Sequence, residues 1–244
     1  MREREHFNRL AAETGSTWWG RTTPAGRLRD RKKIDLFFDI VRPSPGERLL
    51  ETGCGTGEFT RMLDRFGLNV IAFDLAEGCV EAARRSVAPG RGYEFAAADI
   101  ASLPFRDNSF DICLGVSILH HIPVEQCWPE IIRVCRPGAR FFFSEPNMLN
   151  PWVMIEKNIG WVKRRLEDSE EESAFYRWRL EKLFNSYPGT EAHVVNIDFI
   201  HPLVPEFILP AVEKMSGVLE KLPLLREISG SLAIYGTILS ETTK

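Results

Sequence analysis

Apolar and polar residues alternate between two periods along this chain, and the switches between the periods mark out its elements. Residues 3–13 suit a short helix, broken by Thr14-Gly15-Ser16. Pro24 opens a second helix, about 25–42, with Leu28, Ile34, Phe37, Phe38 and Val41 on one face, and Pro43-Ser44-Pro45-Gly46 stops it. Short apolar runs then alternate with helical spacing. Strands are predicted at about 47–51, 68–73, 93–97, 112–116 and 140–144, with helices at about 57–66, 76–87 and 125–135 between them. Nearly continuous apolar strands such as Ile112–Val116 suit a parallel sheet covered on both faces. The regular alternation predicts a doubly wound α/β fold.

After Asn147 the rhythm changes. Trp152, Ile155, Ile159 and Val162 lie on one face of a helix at about 151–166, followed by the acidic run 167–172 and the aromatics Phe175, Tyr176 and Trp178. A sixth strand is expected at about 192–197, an amphipathic helix around Val212, Met215, Val218 and Leu219, and a seventh strand at 231–238. That late helix reads first as core packing and second as a membrane or dimer contact. The expected division is an N-terminal helical arm (1–42), a core (43–148), a helical insert (149–190) and C-terminal elements (191–244) completing the same domain.

The stretch Leu49-Leu50-Glu51-Thr52-Gly53-Cys54-Gly55-Thr56-Gly57-Glu58 carries the chemistry. It reads as a buried strand entering a tight loop whose glycines accept positive φ and let a ligand lie on the backbone, ahead of a helix start with unpaired N–H groups. The dinucleotide fingerprint G-x-G-x-x-G fails, because Glu58 stands where the third glycine belongs. A Walker phosphate loop fails for want of Gly-Lys-Ser/Thr. What remains, an acid two residues before G-x-G-x-G, resembles motif I of the class I S-adenosylmethionine (SAM) methyltransferases. SAM carries an ammonium and a sulfonium and no phosphate, so Glu51 is chemically sensible there. Asp74 ends the second strand 21 residues after Gly53, where an acid can hold both ribose hydroxyls. Ala98-Asp99-Ile100, Leu103-Pro104-Phe105 and Ser109-Phe110-Asp111 extend the resemblance. Arg136-Pro137-Gly138 resembles the family's turn into strand five, with Ala139 and Arg140 departing from its pattern.

The resemblance covers about residues 45–148 and implies a seven-stranded, mostly parallel sheet with helices on both faces, a helical insert between strands five and six, and an antiparallel last strand beside the sixth at the edge. It implies SAM as cofactor, with S-adenosylhomocysteine as product. The cofactor residues carried over are Glu51, Thr52, Gly53, Cys54, Gly55, Thr56, Gly57, Asp74, Leu75 (beside adenine), Asp99 (on the adenine amine), Ile100, Gly115, Val116 and Ser117. His120 and His121 follow strand four, where ligands of open α/β sheets sit. Either is a candidate general base, or a residue that shapes the pocket. Asp111 is expected to be structural.

Composition narrows the rest. The chain has 244 residues, 44% hydrophobic and 27% charged, with net charge −3. That balance offers no general pull toward nucleic acid or an anionic membrane. The five cysteines form no C-x-x-C pair and read as reduced and buried, in a cytoplasmic protein. No signal peptide and no apolar run of about 18 residues is recognised, and no metal-ligand cluster is visible. The polar side of the second helix, with Arg27, Arg29, Arg31, Lys32 and Lys33, reads as a solvated face. The other reading has the N-terminal arm covering the pocket, with Trp18 or Trp19 as a wall and an arginine on the SAM carboxylate. The aromatics near 175–178 either line an apolar or aromatic acceptor pocket or seal the insert onto the core. The expected activity is methyl transfer to an O, N or C nucleophile of a small molecule. The alternatives are a non-catalytic SAM-binding or partner-activating protein and a nucleic-acid methyltransferase.

Overall fold

A computed structural model describes residues 2–13, 17, 20–87, 92–160 and 173–239. Seven strands, β1 (Arg48–Thr52), β2 (Asn69–Asp74), β3 (Tyr93–Ala97), β4 (Phe110–Val116), β5 (Cys135–Pro146), β6 (Thr190–Ile197) and β7 (Ser231–Ile238), form one sheet in the order β3-β2-β1-β4-β5-β7-β6. The first five are parallel, and β7 runs antiparallel to both β5 and β6. The last strand therefore lies inside the sheet, and β6 takes the edge. Reversal of the strand order beside β1 opens a crevice at the carboxyl ends of β1 and β4, the place where such sheets bind ligands.

The helices are α1 (Arg2–Glu13), α2 (Pro24–Val41), α3 (Glu58–Met62), α4 (Glu77–Ser86), α5 (Val124–Val134), α6 (Pro151–Asn158), α7 (Arg177–Phe184) and α8 (Leu209–Leu219). Period-two alternation sorts the strand residues. Leu50, Cys113, Phe141 and Phe143 bury against Trp128 of α5 and Phe184 of α7. Leu49, Ile112, Leu114 and Phe142 bury against Ile34, Phe37 and Val41 of α2. Helix α2 starts as its sequence dictates. Thr23 Oγ1 accepts from Gly26 N at 3.0 Å, and Pro24, lacking an N–H, occupies the first turn at no cost.

Several expectations are corrected. Strand β5 starts at Cys135: the expected Arg136-Pro137-Gly138 turn is an irregularity inside it, with Cys135 opposite Phe110, Arg140 opposite Ile112 and Gly138 at φ 87°. Helix α7 has no sequence forecast, because its apolar residues Leu180, Leu183 and Phe184 make only one turn's worth of pattern. Helix α8 does not pack as core, since Met215 and Val218 are each 55% exposed. Trp18, Trp19, Val162 and the acidic run 167–172 lie outside the described residues. Among the described residues, no helix is long and apolar enough to cross a membrane.

Candidate active site

A cavity of about 720 Å³ opens over the carboxyl ends of β1, β2 and β4. That volume suits a nucleoside-sized ligand with room for a second substrate. Glu3 and Phe7 of α1, Arg21, the α2 residues Gly26, Arg29, Asp30 and Lys33, Trp152, Val153, Glu156 and Lys157 of α6, and residues 199–203 are among its walls. The arm is pinned over the site: Gly78 N donates to Asn8 Oδ1 at 2.8 Å, and Arg4 Nε to the Leu75 carbonyl at 3.2 Å.

The glycine loop forms the floor. Gly55, at φ 52°, borders the cavity, and nothing lies within 4 Å of the place a Cβ would occupy, so only a side-chain-free residue keeps that cradle open. Asp74 fixes the loop, its Oδ2 accepting from Gly55 N and its Oδ1 from Ala76 N, both at 2.9 Å. Burial raises its pKa, and the two N–H donors oppose the shift. Each oxygen keeps a lone pair for a ribose hydroxyl. Glu51 is buried, accepts from Thr60 Oγ1 at 2.7 Å, and is pushed up to about 8 by desolvation, which outweighs that hydrogen bond. An arriving ammonium would favour its charged form. Helix α3 is only five residues long, so the loop rather than a helix terminus makes this part of the site. These groups fit SAM: an acid for its ammonium, an acid for its ribose, and bare backbone between them.

At the end of β4, Ser117 takes φ 58° and its N–H donates to the Ser144 carbonyl at 2.8 Å. The chain then turns into the short 3-10 segment Leu119–His121. Glu145, the last acid of β5, holds this turn together. Its Oε1 accepts from Ile118 N at 3.0 Å and Leu119 N at 2.8 Å, and its Oε2 lies 2.7 Å from His120 Nδ1. An ionised carboxylate only accepts, so Nδ1 carries the proton and Nε2 the lone pair. Burial pushes the Glu145 carboxyl up to about 7, against the pull of the two N–H donors. The His121 ring lies 4.1 Å from that of His120, tilted by 36°, and meets Phe7 edge-on at 5.1 Å. The sequence reading missed Glu145. Its position at the carboxyl end of a central strand, one strand from the His pair, was the signal that could have found it.

Of the sequence candidates, Glu51, Gly53, Cys54, Gly55, Thr56, Asp74, Leu75, Asp99, Ile100, Val116, Ser117, His120 and His121 line this one cavity. Thr52, Gly57 and Gly115 do not. The Thr52 hydroxyl is tied to the Leu114 carbonyl at 3.2 Å. A Cβ on Gly57 would stand 2.6 Å from Ser86 Oγ, and one on Gly115 would stand 2.4 Å from the Phe143 ring, so both glycines serve packing. The Cys54 thiol is held well above its ordinary pKa by burial and by the nearby Glu51 and Asp74, so it is no nucleophile. Asp111 accepts from Arg48 N at 2.9 Å and pairs with Arg136 at 2.6 Å, a structural clasp.

Two open readings can be compared with the structure. Phe175 packs on the core, and Phe175, Tyr176 and Trp178 are absent from the cavity wall, where Trp152 and Phe199 stand instead. The basic side of α2 is not simply solvated. Arg27 and Arg31 are exposed, but Arg29 pairs with Asp198 at 2.7 Å, Lys32 with Glu220 at 2.8 Å, and Lys33 is buried at the cavity.

The fold is Rossmann-like, with a cavity at the carboxyl ends of its central strands, and comparison with known proteins links it to methyltransferases. Residues 50–143 match the family model described as "Methyltransferase domain". A demethylmenaquinone methyltransferase of Clavibacter sepedonicus is 36% identical over 106 residues, 43% of each chain. A malonyl-[acyl-carrier protein] O-methyltransferase of Serratia marcescens is 38% identical over 101 residues, 41% of this chain and 38% of its own. The match thus spans less than half the length of these curated relatives. A Thermotoga maritima SAM-dependent methyltransferase, described as a possible histamine N-methyltransferase, superposes with TM-score 0.68 over 96% of this chain and 99% of its own at 20% identity, a likeness of fold. Over residues 50–143 the chain is thus similar to methyltransferase domains.

Proposed function

We propose that this protein transfers the methyl group of SAM to a nucleophile on a small molecule, with His120 as general base and Glu145 as its positioning residue. The carrying observation is the 2.7 Å contact between His120 Nδ1 and Glu145 Oε2 in the wall of the cavity floored by the glycine loop and Asp74. SAM bound there supplies an activated methyl on sulfonium. Glu51, Asp74, the loop backbone and Asp99 bind and orient it. Arg21, whose guanidinium lies 5.6 Å over the Phe59 ring and acts on Glu51, is placed to take its carboxylate. His120 Nε2 accepts the proton of an O–H or N–H acceptor, and Glu145 stabilises the imidazolium. Helices α1 and α2 act as a cap, and α6 together with Phe199–Leu203 closes the acceptor side and excludes water. Alignment and water exclusion can supply about 7–11 kcal/mol of a barrier.

Relatives named for demethylmenaquinone and malonyl-acyl carrier substrates support a small-molecule or carrier-bound acceptor. A nucleic-acid acceptor is disfavoured because the 27–33 run forms no open basic track: Arg29 and Lys32 are paired and Lys33 is buried. A purely cofactor-binding protein would have no use for a cavity that continues past the glycine loop to a His–Glu pair. The five buried free thiols suit a reducing, cytoplasmic setting. The test is transfer of label from methyl-tritiated SAM to a panel of phenols, amines and carboxylic acids. Turnover that falls at least a hundredfold in His120→Asn, with SAM affinity kept, supports the assignment. Full activity of that variant overturns it.

A further inference from the structure

Four of the five basic residues of α2 have ordinary explanations. Arg27 and Arg31 are exposed, Arg29 Nε donates to Asp198 Oδ2 at 2.7 Å, and Lys32 Nζ donates to Glu220 Oε1 at 2.8 Å. Lys33 is different. It is 6% exposed and lines the cavity, and no hydrogen bond or ion pair joins its Nζ to any described residue. A buried ammonium in that position is costly unless something pairs with it. Burial has lowered its pKa to about 8, so it still holds its proton at neutrality. The charges that act on it are Arg29, Asp30, Asp198 and Arg21, and of these Arg29 and Asp198 satisfy each other. Its ammonium, buried in the cavity wall without a hydrogen bond to any described residue, suits one anionic group of a ligand.

Two observations direct Lys33 toward the acceptor side of the cavity. Arg21 acts on Glu51 and stacks on Phe59, beside the glycine loop, whereas Lys33 acts on Glu145, the partner of His120. The wall next to it is largely apolar, and its acid Glu156 lies 3.5 Å from His201 Nε2. Helix α2 packs along 198–202 through Arg29–Asp198 and through Thr23 Oγ1, which donates to the Pro202 carbonyl at 2.7 Å, and Phe199, Ile200 and Leu203 line the cavity there with Trp152 and Val153.

We infer that the acceptor is an amphipathic monocarboxylic acid, its carboxylate paired with Lys33 Nζ and its apolar body laid against Trp152, Val153, Phe199, Ile200 and Leu203. The inference rests on the methyltransferase reading and specifies its substrate class. The acid is an anchor, and the methylated atom is the one presented to His120.

The test is calorimetric titration of hexanoate and benzoate, against hexanamide and benzamide, into protein saturated with S-adenosylhomocysteine. Wild-type protein should bind each acid at least about tenfold more tightly than its amide, the scale of one charge-assisted hydrogen bond. Lys33→Met, which keeps the shape and removes the charge, should bring acid and amide to within about twofold, while Lys33→Arg restores most of the preference. S-adenosylhomocysteine affinity should stay within about twofold in both variants. Acid and amide binding equally to wild type, no acid binding at millimolar concentration, or a preference that survives Lys33→Met each overturns the inference. So does loss of S-adenosylhomocysteine binding in Lys33→Met with acid preference intact, which would give Lys33 to the cofactor carboxylate. Failure of wild type to bind S-adenosylhomocysteine would instead count against the methyltransferase reading, and the acids titrated alone would still report on Lys33.

Discussion

Replacing Glu145 separates the two tasks that the structure gives it. Its Oε1 satisfies the N–H groups of Ile118 and Leu119, and its Oε2 holds His120 Nδ1. Glu145→Ala orphans both N–H groups at about 1–3 kcal/mol each and leaves a cavity, so it should destabilise the fold by about 3–5 kcal/mol. Glu145→Gln keeps an acceptor for both and should stay within about 1 kcal/mol of wild type. Its amide, however, now donates to Nδ1. The imidazole must then carry its proton on Nε2, where it can no longer accept one. Loss of the base should lower kcat by about 10²–10⁴, or about 2.7–5.5 kcal/mol of barrier. Long-range ¹H–¹⁵N spectra read the tautomer directly, and turnover of the best acceptor from the labelled-SAM panel reads the rate. The pH profile adds a signature. Because the Glu145 carboxyl is raised to about 7, wild-type kcat should fall as pH drops through that value, and the limb should vanish in the glutamine variant. A Glu145→Gln protein with the switched tautomer and kcat within threefold of wild type would refute the dyad.

Asp74→Ala removes the acceptor for Gly55 N and the expected ribose contact, and should weaken SAM binding about 10–100-fold by calorimetry. Gly55→Val puts a β-branched side chain at φ 52° inside the cradle and should do at least as much. Gly115→Ala forces a Cβ to 2.4 Å from the Phe143 ring and 2.6 Å from Thr52 Oγ1. It should cost about 1–3 kcal/mol and lower Tm by several degrees without touching the cavity wall. The buried acids Glu51 and Glu145 have folded-state values of about 8 and about 7, above their unfolded values near 4.5. The folded protein therefore binds more protons in that window. Ligand-free stability should be highest near pH 5 and fall as pH rises toward 8, with Glu51→Gln flattening the upper part of the decline in a pH series of thermal melts.

The sequence made the sheet legible wherever one strand answers to one apolar run. Leu49-Leu50, Val70–Phe73 and Ile112–Val116 are central parallel strands buried on both faces, so period and composition agree. It was less informative where a residue's role depends on distant chain. Glu145 meets His120 only because β5 lies beside β4 and sets its carboxylate against Ile118–His120. Lys33 resembles its neighbours in a basic run, and only the packing of α2 along residues 198–202 decides which of them are buried. Thr52, Gly57 and Gly115 share the loop's or strand's composition, yet their surroundings are Leu114, Ser86 and Phe143 rather than the cavity. Residues 199–203 carried no motif at all, because lining a wall asks only for apolar bulk in the right place.

The most direct test of the central claim is calorimetric titration of the purified protein with SAM, S-adenosylhomocysteine and NADH in parallel. The glycine cradle, Glu51 and Asp74 predict saturable one-to-one binding of the two sulfur nucleosides, lost in Gly55→Val, and no binding of NADH. Binding of NADH alone, or of none of the three, would contradict it.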